Sequence, residues 1–369
     1  MSAAKHHALR SFGFASEVEE RLIAALARPL PEACPDPREA ALENELFVPD
    51  WIECCLEARR AGPAAALRNM LWELNFPVAP GISKTPEYAN PALAGNGAGE
   101  RAFASTKEGV AWQAPERLRV FMHDSGAGLL PVIHAAERED FVTLIRALVH
   151  RNEPAAVPAS MGASFLNGYH NRQRHVRALE AAEQGLLPRA ACQPSLWKDR
   201  LLLLTHGLYS GVPAVALGRT DAEWMERSTR LRLAHESCHY AVRRLFPRLK
   251  FGLQDELAAD FAGLMEADGV FRAEAFLLFM GLEKFPAYRP GGRLENYGKG
   301  LAADPAMLHA LGAVLAAAAR QVEAFFAGWP PERYARHKLA VWAALTFVPL
   351  EHLASPEAAQ WLQRVLPGS

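Results

Sequence analysis

The segment TDAEWMERSTRLRLAHESCHYAVRRLF, from Thr220 to Phe246, constrains the fold of this chain more than any other. Thr220 is followed three residues later by Glu223, the capping-box pattern in which hydroxyl and carboxylate each satisfy a backbone N–H left open by the first helical turn. Pro247 closes the segment, because the residue before a proline is pushed out of helical backbone angles. One long helix is therefore expected between these signals. The chain around it, 369 residues with 50% hydrophobic and 22% charged side chains, is long and apolar enough to bury a core, with room for two domains or one large one.

The remaining elements follow from periodicity. Residues 16–30 and 51–76 carry apolar side chains at helical spacing, broken near Gly62-Pro63, so a helical N-terminal region is expected over 1–76. A stretch dense in Gly, Pro, Ala, Ser and Asn over 77–109 reads as a long loop or linker. Apolar runs at 117–123 and 201–206 predict strands, and 139–151 alternates at helical period. After Thr220 the chain reads as helical almost to its end, interrupted at 246–254 and 284–300. The fold class expected is α+β, predominantly helical, with a mixed α/β middle, a helical C-terminal part and one domain over 110–369.

Composition excludes some roles. Forty basic residues against forty-one acidic ones give a formal charge of -1, so no global field draws the chain to nucleic acid or to an anionic membrane. The five cysteines, Cys34, Cys54, Cys55, Cys192 and Cys238, are odd in number and form no CxxC pair, which predicts a reducing compartment and no disulfide framework. Glutamates interrupt the N-terminal stretch where a signal peptide needs an unbroken apolar run, and a cytoplasmic location is expected. The alanine-rich run over 307–327 contains His309, Arg320 and Glu323, which match a buried helix of a soluble fold better than a membrane span.

Within the long helix, His235 and His239 are four residues apart, so their imidazoles emerge one above the other on one face, as two ligands of one ion require. Zinc favours imidazole nitrogen, keeps a water in its open position when three protein ligands are present, and lowers the pKa of that water to about 7. Glu236, beside His235, can act as general base toward that water. A third ligand must come from elsewhere, and QDELAADFAGLMEADG (254–269) offers one. Asp255 is a plausible N-cap there; Glu256 and Asp260 again share a face, as third ligand and as the carboxylate that orients a ligand histidine through its other ring nitrogen. Gly263, one turn further on, lets this helix come close to a neighbour. The competing account of the acids is a solvated helix start favoured by the helix dipole.

His235-Glu236-Ser237-Cys238-His239 followed by Glu256-Leu257-Ala258-Ala259-Asp260 resembles the HExxH and ExxxD signature of the gluzincin metallopeptidases, including the thermolysin-like ones. The resemblance covers about residues 221–266. It implies a zincin-like fold with Zn2+ on His235, His239 and Glu256, Glu236 as catalytic base and Asp260 behind the ligands. The implied activity is zinc-dependent hydrolysis of an amide in a peptide, a protein or a small molecule. The alternatives are a catalytically silent zincin-like metal-binding or regulatory protein, and a helical scaffold without metal. Two features depart from the common pattern: Cys238 lies inside the motif, and the interhelix segment is shorter than in thermolysin-like enzymes.

Amide hydrolysis also needs a donor for the developing oxyanion. The loop AYRPGGRLENYGKG supplies Tyr288, Arg293 and Tyr297, of which Arg293 and Tyr297 are the candidates. The run over 201–206 is a candidate edge strand for extended substrate, while His206 and Tyr209 read as ordinary loop residues and are left out of the site. MHDSG (122–126) and GASFL (162–166) lack the GxSxG of a serine nucleophile elbow. GNGAGE matches neither a P-loop nor a dinucleotide fingerprint. The basic stretch NGYHNRQRHVR (167–177) reads as a solvated helix face.

Overall fold

The computed structural model describes residues 7–40, 42–89, 109–250, 252–297 and 304–366. In chain order its main elements are α1 (Ser16–Leu26), α2 (Val48–Ala61), α3 (Pro63–Met70), β1 (Leu118–Asp124), β2 (Leu129–Ala135), α4 (Arg138–Leu148), β3 (Ala163–His170), α5 (Arg172–Glu183) and β4 (Lys198–Thr205). There follow α6 (Asp221–Leu245), α7 (Leu253–Asp268), α8 (Ala273–Met280), α9 (Pro305–Phe326), α10 (Pro331–Phe347) and α11 (Ala358–Val365). The chain is thus the mostly helical α+β protein that periodicity predicts, with strands confined to its middle among the described residues. Most of the glycine- and proline-rich stretch, residues 90–108, lies outside the described residues.

The chain divides into two compact units, Glu43–Asp124 with Gly128–His206, and Met1–Leu42 with Ser125–Ala127 and Gly207–Ser369. The first carries a four-stranded sheet in the order β1-β2-β4-β3, with β2 and β4 parallel and the two outer pairs antiparallel. Its core joins Trp51 of α2 and Leu67 of α3 to Ile133, Phe141, Leu201 and Leu203. The break between α2 and α3 falls at Gly62, whose φ of 91° only glycine adopts without strain.

Two expectations are corrected in this unit. The run over 201–206 forms β4, but β4 is interior, hydrogen-bonded to β2 on one side and β3 on the other, so it has no open edge for a substrate strand. The basic stretch is only partly a solvated face, since Arg174 is 3% exposed. Its guanidinium pairs with buried Asp199 and, at 2.6 Å, with Asp50. Asp199 also accepts from Trp51 Nε1 at 2.9 Å and Asn171 Nδ2 at 2.8 Å. A charge removed from water in this way needs such a network to stay ionised.

The second unit is helical. Thr220 caps α6, its hydroxyl accepting from Glu223 N–H while the Glu223 carboxylate reaches back to Thr220 N–H, and α6 stops at Phe246 before Pro247, as predicted. α7 starts earlier than expected, with Gly252 as N-cap. Asp255 is therefore in the first turn rather than at the cap, where its carboxylate accepts from Gly252 N–H at 2.7 Å and from Arg28 Nη2 at 2.8 Å. Gly263 does allow the close approach expected of it: a Cβ there would stand 2.8 Å from Leu231 Cδ2 and 2.9 Å from the Leu231 carbonyl oxygen. Phe261, on α7, packs against Phe271, Phe326 and Tyr334. The alanine-rich run forms α9, with Ala310, Val314, Ala318 and Val322 buried and His309 and Arg320 exposed. No helix of the described residues is long and apolar enough to cross a membrane.

Candidate metal centre

The close pass of α6 against α7 decides where the polar side chains of both helices point. His235, His239 and Glu256 are all buried and converge, each offering a ligand atom, with those atoms within 4.8 Å of one another. His235 Nε2 lies 3.1 Å from His239 Nε2, His239 Nε2 lies 3.3 Å from Glu256 Oε1, and His235 Nε2 lies 3.7 Å from Glu256 Oε2. Donors about 2.0–2.1 Å from a tetrahedral zinc ion stand about 3.3–3.4 Å from one another. The three separations bracket that value, so the donor set fits an ion in both chemistry and spacing, and the three residues could hold one.

The acids of α7 are not a solvated helix start. Asp255 is 1%, Glu256 7% and Asp260 0% exposed. Asp260 Oδ1 lies 2.9 Å from His235 Nδ1. With the proton on Nδ1 donated to that carboxylate, the Nε2 lone pair of His235 faces His239 and Glu256, which is how a carboxylate behind a ligand histidine fixes tautomer and orientation.

Two further residues complete the network. Arg293 Nη2 donates to Glu256 Oε2 at 2.6 Å and to Asp260 Oδ2 at 3.1 Å, and Nη1 donates to Asp260 Oδ1 at 3.2 Å. Arg293 reaches the site because Gly292 carries no side chain: a Cβ there would stand 2.6 Å from the Met280 carbonyl oxygen and 2.7 Å from Gly281 Cα. The other residue, Tyr209, is one that sequence reasoning set aside. Its hydroxyl donates to Asp260 Oδ1, lies 2.9 Å from His235 Nδ1 and accepts from Arg293 Nη1 at 2.7 Å. Tyr209 is fixed by its own N–H, which donates to Ser228 Oγ at 3.1 Å, and by Arg232, which holds the Gly207 and Leu208 carbonyls. The only local signal for it is an aromatic residue in a glycine-flanked turn just before the helix.

Burial and charge compete at every group. Burial alone would push the Glu256 carboxyl up, yet the Arg293 charge and the hydrogen bond from His239 hold it far below the usual carboxylate range. Asp260 is likewise held down, against burial, by Arg293 and His235. Burial lowers His239, but Glu256, followed by Glu236 and Asp255, outweighs it and leaves the imidazole above its ordinary value. Burial and the acids of α7 drive the Cys238 thiol well up, so this fully buried side chain stays neutral.

The remaining predicted residues are nearby but differ in placement. Glu236 is half-buried on α6, and its charge is among those acting on His239. Tyr297 is 38% exposed. Partial burial and then the charge of the Glu256 carboxylate push its phenol upward. Tyr288 donates its hydroxyl to the Gly292 carbonyl at 2.7 Å.

Over residues 7–357 the chain matches DUF7005, a family of unknown function, and it belongs to that family. No curated protein and no solved structure matches it.

Proposed function

We propose that this DUF7005 chain is a zinc-dependent hydrolase that cleaves an amide bond of a peptide, a protein or a small molecule, with Glu236 as general base. The observation that supports the reading best is the donor geometry of His235, His239 and Glu256, with Asp260 bonded behind His235. The HExxH and ExxxD spacing shared with gluzincins points the same way.

Zinc bound by three protein ligands supplies a Lewis acid for a carbonyl oxygen and a water acidified to about pKa 7. Glu236 follows His235 on the metal-facing helix and stands close enough for its charge to act on His239. In this reading Glu236 would be the group that accepts a proton from water and hands it to the leaving amine. Asp260 and Tyr209 keep His235 Nδ1 protonated and its Nε2 lone pair directed inward. Tyr297, 38% exposed, is one candidate donor for the developing oxyanion and Arg293 the other. Arg293 would reach that oxyanion only by releasing one of the carboxylates it holds.

That same arginine favours a second reading, a metal-binding or regulatory protein without turnover, because it engages a carboxylate oxygen of the third ligand at 2.6 Å. The two readings separate on zinc-loaded wild-type and Glu236→Gln protein, each measured for zinc content and for cleavage of a defined peptide mixture by mass spectrometry. Full zinc content in both, with turnover in the wild type falling about 10²–10⁴-fold in the variant, is the expected result. Unchanged turnover in Glu236→Gln removes the base, and a fully loaded wild type that cleaves nothing supports the second reading.

A further inference from the structure

The third ligand of the centre and the carboxylate behind His235 share one cation. Arg293 Nη2 donates to Glu256 Oε2 at 2.6 Å and to Asp260 Oδ2 at 3.1 Å, so a single nitrogen bridges the two acids. The oxygens of Glu256 are therefore not equivalent. Oε1 stands 3.3 Å from His239 Nε2, the separation of two donors that each lie about 2.0–2.1 Å from one tetrahedral ion. Oε2 stands 3.7 Å from His235 Nε2, wider than that separation, and carries the hydrogen bond from Arg293. A guanidinium N–H at 2.6 Å is a short, charge-assisted contact, and its positive charge opposes a divalent cation approaching the same oxygen.

The guanidinium is held where it is from several sides. The Arg293 side chain is 17% exposed. Nη1 donates to the Tyr209 hydroxyl at 2.7 Å, to Ser210 Oγ at 3.1 Å and to Asp260 Oδ1 at 3.2 Å. Its Cζ also lies 5.3 Å from the centroid of the Tyr209 ring, within reach of a cation–π attraction. Ser210 adopts a φ of 52°, a conformation that costs a non-glycine residue about 1–3 kcal/mol and persists only where the surrounding contacts impose it. Planar, with its donors in a rigid fork, an arginine fixes a carboxylate in one orientation as a lysine does not.

We propose that Arg293 is a positioning residue that confines Glu256 to ligation through Oε1 alone, and so keeps open a coordination position that a Glu256 bound through both oxygens would fill. This rests on the metal centre of the proposed function and is independent of turnover. It also takes Arg293 out of the role of oxyanion donor, because the nitrogens that would serve an oxyanion already hold Glu256 and Asp260.

The test is X-ray absorption at the zinc edge on the zinc-loaded full chain, together with the visible spectrum of the cobalt(II)-loaded chain, for wild type and Arg293→Met. In the wild type every light donor should lie near about 2.0–2.1 Å. In Arg293→Met the released Oε2 should join the ion as an additional oxygen beyond about 2.2 Å. Cobalt absorption per bound ion should then fall at least twofold, since a further donor brings the ion nearer to a centre of symmetry. A wild type in which both oxygens of Glu256 already bind the ion, or an Arg293→Met ion with wild-type coordination in both spectra, overturns the proposal. The wild-type measurement needs no variant, so the proposal can still fail there if Arg293→Met does not fold. The predicted pair of spectra from a chain that cleaves nothing counts against the hydrolase alone. Turnover by a wild type with Glu256 bound through both oxygens counts against the role of Arg293 alone, and a folded chain that takes up neither zinc nor cobalt overturns both.

Discussion

The Asp260 carboxylate stands 2.9 Å from Nδ1 of His235, although 25 residues separate them in the chain. That distance makes Asp260 the group that sets which nitrogen of His235 carries the proton. Asp260→Asn can keep a hydrogen bond but loses the charge, and its amide can turn a donor toward the ring. A fall in zinc affinity of about 10–100-fold is expected, measured by competition with a chromogenic chelator. Affinity equal to wild type would show that His235 is oriented by something else.

Tyr209→Phe removes one hydroxyl from a buried knot of four residues, leaving Arg293 and Asp260 each short of a partner. A loss of about 1–3 kcal/mol in unfolding free energy is expected from the unsatisfied groups, seen in denaturant titration. Weaker zinc binding should accompany it, since His235 loses part of its support. A variant indistinguishable from wild type in both measurements would place Tyr209 outside the site.

Gly263→Ala tests whether backbone approach builds the centre. The added carbon would lie 2.8–2.9 Å from Leu231 side-chain and carbonyl atoms, and the helices must separate to admit it. A destabilisation of about 1–3 kcal/mol is expected, with weakened metal binding, because His235 is one turn along α6 from Leu231. Stability at or above wild type would contradict the close packing.

In the sheet-bearing unit, His134 gives a pH dependence. Burial, then the neighbouring charges of His206 and Arg119, lower its pKa to about 4. In the unfolded chain the ring titrates near its ordinary value of about 6.5. Between those values the unfolded chain binds a proton that the folded chain does not, so stability falls as pH drops from about 6.5 to about 4. Denaturant titrations across that window should show a shallower slope for His134→Gln. An unchanged slope would mean that other groups carry the effect.

What the chain's residues announce in advance depends on how local the physics is. The start and stop of α6 rest on Thr220, Glu223 and Pro247, all of which act within one turn, and they are legible. The four-residue spacings of His235 with His239 and Glu256 with Asp260 set a shared face, and Gly263 announces a close approach; together these anticipate the convergence of the triad. Tyr209 meets Asp260 across 51 residues, a pairing that exists only once a turn and a helix have docked, and no spacing encodes it. Whether β4 is interior or edge is decided by β2 and β3, and Arg174 becomes buried because Asp199 and Asp50 arrive from elsewhere in the chain. Asp255 illustrates a smaller limit: an acid at a helix start can serve the cap from within the first turn as well as from the cap itself.

In the proposed function, α6 and α7 together hold one metal ion. Zinc content by plasma emission spectrometry, on chain reconstituted with zinc and then freed of excess, tests it most directly. One zinc per chain is predicted for the wild type, with marked loss in His239→Ala and Glu256→Ala. Less than about 0.2 zinc per chain in a folded wild-type preparation, or full retention in both variants, would contradict it.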